Sequence, residues 1–343
     1  PKQSQIVIIG GGIMGCSTAY HLLKNGCRDV ILLERTKLTS GTTWHSAAQV
    51  RQLRSTESLT RLVQNSVSLY SSLEAETGQA TGWKQTGSLS IATNPDRLTH
   101  IRRQASLSQA FGIGAEEISV SNAAEKWPLM RSDDLIGAVY SPSDGRVGPS
   151  DICAALIKGA KSKGLQVYED TRVAGIRTKN GRVSAVQTEQ GEITCETVVN
   201  CAGIWGRSIA AMVGVTAPLH ACEHFYLLTE LMDSITSPLP TLSDHDGHIY
   251  LRDEGGGLLV GCFEPKGKAL DLEQLPENFV FDLLPEDWDH IEPIIINAIH
   301  RIPELEQTGV KMLINGPESF TPDDRFLLGE SPELRGFFLG CGM

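Results

Sequence analysis

Aromatic residues are scarce, at 6% of the chain, and no uninterrupted apolar run approaches the ~20 residues that cross a bilayer as a helix, so no membrane partner is expected. Positive charge is also short. Thirty Lys and Arg against 41 Asp and Glu leave a formal net charge of −11, which argues against a nucleic-acid binder, since tracking phosphates takes a clustered basic footprint. The eight cysteines are scattered, with no C-x-x-C pair. That excludes the disulfide framework of small secreted domains and fits a reducing compartment, with residues such as Cys201 in VVNCAG reading as small buried hydrophobes. His220 and His224 are spaced H-x-x-x-H but lack a helix and a third ligand, so no metal site is expected. Internal repeats and low-complexity linkers are absent. What remains is a globular composition, 41% hydrophobic and 21% charged over 343 residues, long enough for about two domains and suited to small-molecule or protein partners.

QIVIIGGG reads as a buried parallel strand, CSTAYHLLKNG as a helix stopped by Gly26, and DVILLE as a second strand ending at Glu34. At the first junction GGGIMG holds G-x-G-x-x-G. Gly10 permits the tight turn, Gly12 lets backbone approach a pyrophosphate, and Gly15 lets helix and sheet pack closely. Glu34, 19 positions past Gly15, stands where a carboxylate accepts ribose hydroxyls. A dinucleotide site is therefore expected, with Gly10, Gly12, Ile13, Met14, Gly15 and Glu34 around it.

Helical spacing recurs in SLTRLVQNSVSLYSSLEAETG, in PSDICAALIKGAKSKG and from about Pro285 to Ile302. Between residues 166 and 200, alternating runs separated by Asn180-Gly181 and Gln190-Gly191 predict a three-stranded antiparallel meander returning into the strand VVNCAG. Beyond Pro218 long strands follow, HFYLLTE, HIYLR and GLLVGCF.

The meander and its returning strand resemble the FAD domain of D-amino-acid-oxidase-like flavoproteins. The segments GGGIMG, LLER, LTSGTTWHSA, LEAETGQATGW, VVNCAGIWG and GPESFTPDDRFLLGESPELRGFFLGCGM resemble the sarcosine and dimethylglycine dehydrogenase family over essentially the whole chain. LTSGTTWH and the C-terminal block look closer to the sarcosine enzymes. HACEHFYLLT instead resembles the regulatory subunit of pyruvate dehydrogenase phosphatase, a relative that binds rather than oxidises.

The resemblance implies an α/β fold. A discontinuous FAD-binding Rossmann-like domain (1–82, 145–215 and 322–343) would be interleaved with an α+β substrate domain on an antiparallel sheet (83–144 and 216–321). It implies that His45, in the TWH motif, is joined covalently to the flavin 8α-methyl group, chemistry within reach of a neutral imidazole nitrogen. Glu34 and Arg35 would hold the adenosine. Gly41, Thr42, Thr43, Trp44, Ala47, Ala48 and Gln49 would line the path from pyrophosphate to ring, Val173 would meet the adenine, Trp205 would line the flavin, and Gly342 and Met343 would begin a last contact.

The activity implied is FAD-dependent oxidative N-demethylation, with hydride passing to the covalent flavin. Sarcosine would yield glycine and a one-carbon unit; dimethylglycine is the alternative substrate, and a non-enzymatic regulatory protein the alternative class. Electron-transfer flavoprotein would accept the electrons, in the mitochondrial matrix of a eukaryote or the cytoplasm of a bacterium. An N-methyl amino acid offers a carboxylate and an amine, so its site needs a cation, hydroxyl donors and aromatic walls. His224, Tyr226, Tyr250 and Arg252 are expected there, with Arg51 or Arg54 as a further carboxylate partner. Because GFFLGCGM runs into a glycine turn with no helix after it, a continuation is expected, and the resemblance implies a tetrahydrofolate-binding domain within it.

Overall fold

A computed structural model describes residues 1–342. Ile6–Ile9 is the centre of a six-stranded sheet, pairing in parallel with Val30–Leu33 on one side and Thr197–Asn200 on the other. Gln166–Tyr168 and Phe337–Cys341 extend the parallel run, and Leu327–Glu330 closes one edge antiparallel. The central strands are buried on both faces, which is why they read as continuous apolar runs rather than alternating ones.

One face of this sheet carries the helices Ile13–Lys24 and Pro149–Lys161, which approach closely because Gly159 leaves room for the Tyr20 ring. The other face carries the meander, Val173–Lys179, Arg182–Thr188 and Gly191–Thr194, with Asn180 and Gly181 both at positive φ in its first turn. Its inward residues Ile176, Val183, Val186 and Ile193 share a core with Val7, Ile31 and Phe337.

A second, nine-stranded sheet has two buried faces with different contents. Along His220–Thr229, Phe225 and Leu227 point into an apolar core under the helices Val120–Lys126 and Trp288–Arg301, while His224 and Tyr226 point the opposite way. Ile249 and Leu251 join that core, whereas Tyr250 joins Tyr226, Leu259 and Ile314 on the far side. Alternation thus delivers a row of polar and aromatic side chains to the side facing the loop Thr42–Val50.

Candidate functional site

Two cavities meet beneath that loop. The larger, about 430 Å³, runs along the end of the parallel sheet; the smaller, about 320 Å³, lies over the second sheet; Ser46 and Glu318 line both.

Gly10, Gly12, Ile13 and Met14 line the larger cavity where the first strand turns into its helix. Gly10 needs its φ of +107°, and a Cβ there would collide with the Cys201 carbonyl. Gly15 lies outside the cavity: it packs against the Gly10 carbonyl, the close helix–strand contact expected of it. The Glu34 carboxylate accepts from Gly11 N at 2.7 Å and Thr36 N at 2.9 Å. Burial raises its pKa and these bonds oppose the rise, leaving an acceptor group facing the cavity. Thr43 Oγ1 takes the free Ile13 N–H at 3.0 Å, so the 3₁₀ turn Thr42–His45 is tied to the helix N-terminus. Thr42 Oγ1 donates to Pro317 O at 2.7 Å and ties the same turn to the second sheet.

Arg35 stacks over Trp205 at 4.6 Å, and both line the cavity with Gly41, Val173 and Gly342. The expected contact at Met343 lies outside the described residues. A backbone cradle at a helix N-terminus, an acceptor carboxylate and an aromatic wall together fit a dinucleotide. Ala47, Ala48 and Gln49 fall elsewhere, on the smaller cavity, and Trp44 lines neither, its buried indole N–H lacking a partner among the described residues.

His45 is 4% exposed and opens on the smaller cavity; its Nε2 has no hydrogen-bond partner among the described residues. Its ring lies flat on Gly316, where any Cβ would occupy the same space. Burial, reinforced by the nearby His224 charge and opposed by a backbone bond, lowers its pKa to about 4. The imidazole is neutral at pH 7, the form a nucleophile requires. The linkage has a definite sign. The unfolded histidine gains a proton near pH 6.5 that the folded one refuses, so stability present at pH 7 is lost as pH falls from about 6.5 towards 4. In flavin-free protein, His45→Gln should therefore flatten the fall in melting temperature across that interval, removing about 2–4 kcal/mol of pH-dependent stability. Parallel melting curves for the two proteins would show the idea wrong.

His224, Tyr226 and Tyr250 all line the smaller cavity. His224 Nδ1 meets Glu264 Oε2 at 2.7 Å, and Tyr250 OH lies 3.5 Å from His224 Nε2. Burial pushes the His224 pKa down, but the Glu264 hydrogen bond and the charges of Glu318 and Glu264 outweigh it, for a net rise. Tyr250 spans the space above Gly261 and packs on Phe263, which stacks on His245 at 4.9 Å.

Arg252 corrects the sequence-based expectation. Its side chain is buried outside the cavity: Nε donates to Ala47 O at 2.9 Å, and Nη1 to Asp253 O at 3.1 Å and to the Glu254 carboxylate. It props the loop in which Ala48 adopts a φ of +50°, a costly conformation for a residue with a Cβ. The arginines that do line the cavity are Arg51 and Arg54, the latter at the exposed rim. Arg51 donates to the Ser243 hydroxyl and to Ser90 Oγ at 2.8 Å and forms no ion pair among the described residues. His245, Phe263 and Glu318 complete the lining. Sequence reasoning missed all three; only Glu318 had a signal, its place in the GPESF block.

Residues 5–343 match the family model for FAD-dependent oxidoreductases of the DAO type. The chain belongs to this family. The flavoprotein chain is 44% identical over its whole length to mitochondrial sarcosine dehydrogenase of Mus musculus, spanning 38% of that protein. It is 42% identical, again over its whole length, to the mitochondrial pyruvate dehydrogenase phosphatase regulatory subunit of the same species, spanning 39% of it. Among solved structures, L-proline dehydrogenase from P. horikoshii superposes with a TM-score of 0.89 at 27% identity, covering all of this chain and 88% of the other.

Proposed function

We propose that this flavoprotein oxidises an N-methyl amino acid, sarcosine before dimethylglycine, with its flavin attached to His45. The observation that carries the reading is Arg51, an arginine with no carboxylate partner among the described residues, which lines a cavity of about 320 Å³ together with a neutral imidazole whose Nε2 has no hydrogen-bond partner among them. A guanidinium held by serine hydroxyls retains the capacity to bind a carboxylate. The cavity volume suits a small ligand rather than a protein segment.

Bound in the larger cavity, FAD supplies a two-electron acceptor. The chain's residues prepare the substrate. Arg51, with Arg54 at the rim, holds the carboxylate, while Glu318 draws the ammonium group towards the wall shared by the cavities. An alkylammonium resembles lysine, with a pKa near ~10.4, so oxidation needs a proton acceptor. His224 Nε2 faces the cavity and is oriented by Glu264, which places it to take that proton. Tyr250 and Phe263 form an aromatic wall of the cavity. Sarcosine would leave as glycine and a one-carbon unit, and electron-transfer flavoprotein would carry off the electrons, in the mitochondrial matrix if the cell is eukaryotic.

Anaerobic addition of sarcosine to the yellow holoprotein is expected to bleach its visible absorption, with dimethylglycine slower. If no N-methyl amine bleaches it, the oxidative reading is wrong, and the likeness to the phosphatase regulatory subunit then favours a binding role.

A further inference from the structure

The same cavity wall leads outward. Glu264 has a histidine near each of its carboxylate oxygens. Its Oε2 meets His224 Nδ1 at 2.7 Å, and its Oε1, buried and without a hydrogen-bond partner among the described residues, faces His290 Nε2 at 4.0 Å. The side chains of His224 and Glu264 are 20% and 10% exposed, and that of His290, in the first turn of Trp288–Arg301, is 25% exposed. His290 lies against the Phe225 ring at 4.8 Å, which fixes its plane beside the carboxylate.

Neighbouring charges are already engaged. Glu223 accepts from Asn315 and pairs with Lys268, Lys268 pairs with Asp287, and Asp287 caps the helix through His290 N. Glu318, from the strand Val310–Phe320, stands on the cavity side of His224, as does Tyr250. A half-buried carboxylate between two part-exposed imidazoles, one facing the cavity and the other on the helix Trp288–Arg301, with one oxygen towards each, has the connectivity of a relay.

We propose that His224, Glu264 and His290 form a proton exit from the substrate cavity to solvent. The proposal rests on the oxidative reading for its source of protons. The substrate ammonium gives a proton to His224 Nε2, and His224 Nδ1 releases its own to Glu264 Oε2. The carboxyl group then turns so that its protonated oxygen closes the 4.0 Å gap to His290 Nε2 and gives that proton up, and His290 passes one to water. One proton has moved from cavity to solvent with no change of oxidation state; His224 is left as its Nε2–H tautomer, and a flip of the ring returns the proton to the Glu264 side before the next turnover. Glu264 and His290 touch no substrate; they act through His224.

The test uses flavin-loaded full-length protein with nitrogen-labelled histidine. In wild type the His224 Nδ1–H proton exchanges with water through the relay; in His290→Gln that exchange should slow by roughly 10²-fold, the low end of what a positioned proton-transfer group contributes. Free imidazole should restore it in His290→Ala. A second arm follows flavin bleaching by sarcosine. His290→Gln should slow it and enlarge the solvent isotope effect, with imidazole restoring the rate in His290→Ala, whereas Glu264→Gln should slow it without rescue. Unchanged exchange in His290→Gln, or no imidazole rescue in His290→Ala, overturns the relay. If wild type does not bleach with any N-methyl amine, the oxidative reading falls, and the exchange arm still decides the relay.

Discussion

His45→Ala should yield a folded protein whose flavin appears wholly in the supernatant after acid precipitation, where wild type should retain it in the pellet. The neutral, buried imidazole has no competing hydrogen bond at Nε2 among the described residues, so nothing internal ties up that nitrogen. The variant leaves the dinucleotide cradle at Gly10 to Gly12 and Glu34 untouched, so FAD should still bind, reversibly. Gly316→Ala should reproduce much of the effect while keeping the histidine, because a methyl group there occupies the space of the ring. A wild-type supernatant containing free flavin would remove the covalent attachment and leave the FAD-binding fold intact. Since the imidazole is neutral down to about pH 4, attachment in wild type should show no inflexion between pH 6 and 8.

Arg51→Gln should weaken sarcosine binding by roughly 10- to 150-fold, the equivalent of about 1.5–3 kcal/mol for a lost charge-assisted hydrogen bond. Glutamine keeps a donor for Ser90 or Ser243 but not the charge, so the cavity keeps its shape and loses its attraction for a carboxylate. The loss should be larger for an amino-acid substrate than for an N-methyl amine lacking the carboxylate, a contrast that a general loosening of the fold would not produce. Titration of the visible spectrum measures it. Arg252→Gln is the informative comparison: it should loosen the Ala47–Ala48 loop and lower melting temperature, because Arg252 donates to that loop and to Glu254 rather than to a ligand. Equal affinity losses in both variants would remove Arg51 from its assigned role.

The dinucleotide end of the molecule was legible from the amino-acid sequence because its determinants are local. Gly10 to Gly15 and Glu34 belong to one strand–helix–strand unit, and the turn pairs of the meander lie beside the strands they connect. The boundaries of the long helices were readable for the same reason, through Gly78 after Glu57–Thr77 and Pro149 at the start of its helix. The smaller cavity was decided by tertiary structure. Arg51, His224, Tyr250 and Glu318 come from four separate stretches, and Ile249–Asp253 is buried on both faces, so hydrophobic alternation carries no sign of which face meets the cavity. Tyr250 and Arg252 share a face, as spacing by two requires, yet the one lines the cavity and the other props the loop at Ala47. The outward path through Glu264 and His290 was likewise invisible in the sequence, since a loop and a helix N-terminus must be folded against the same strand before either imidazole finds the carboxylate.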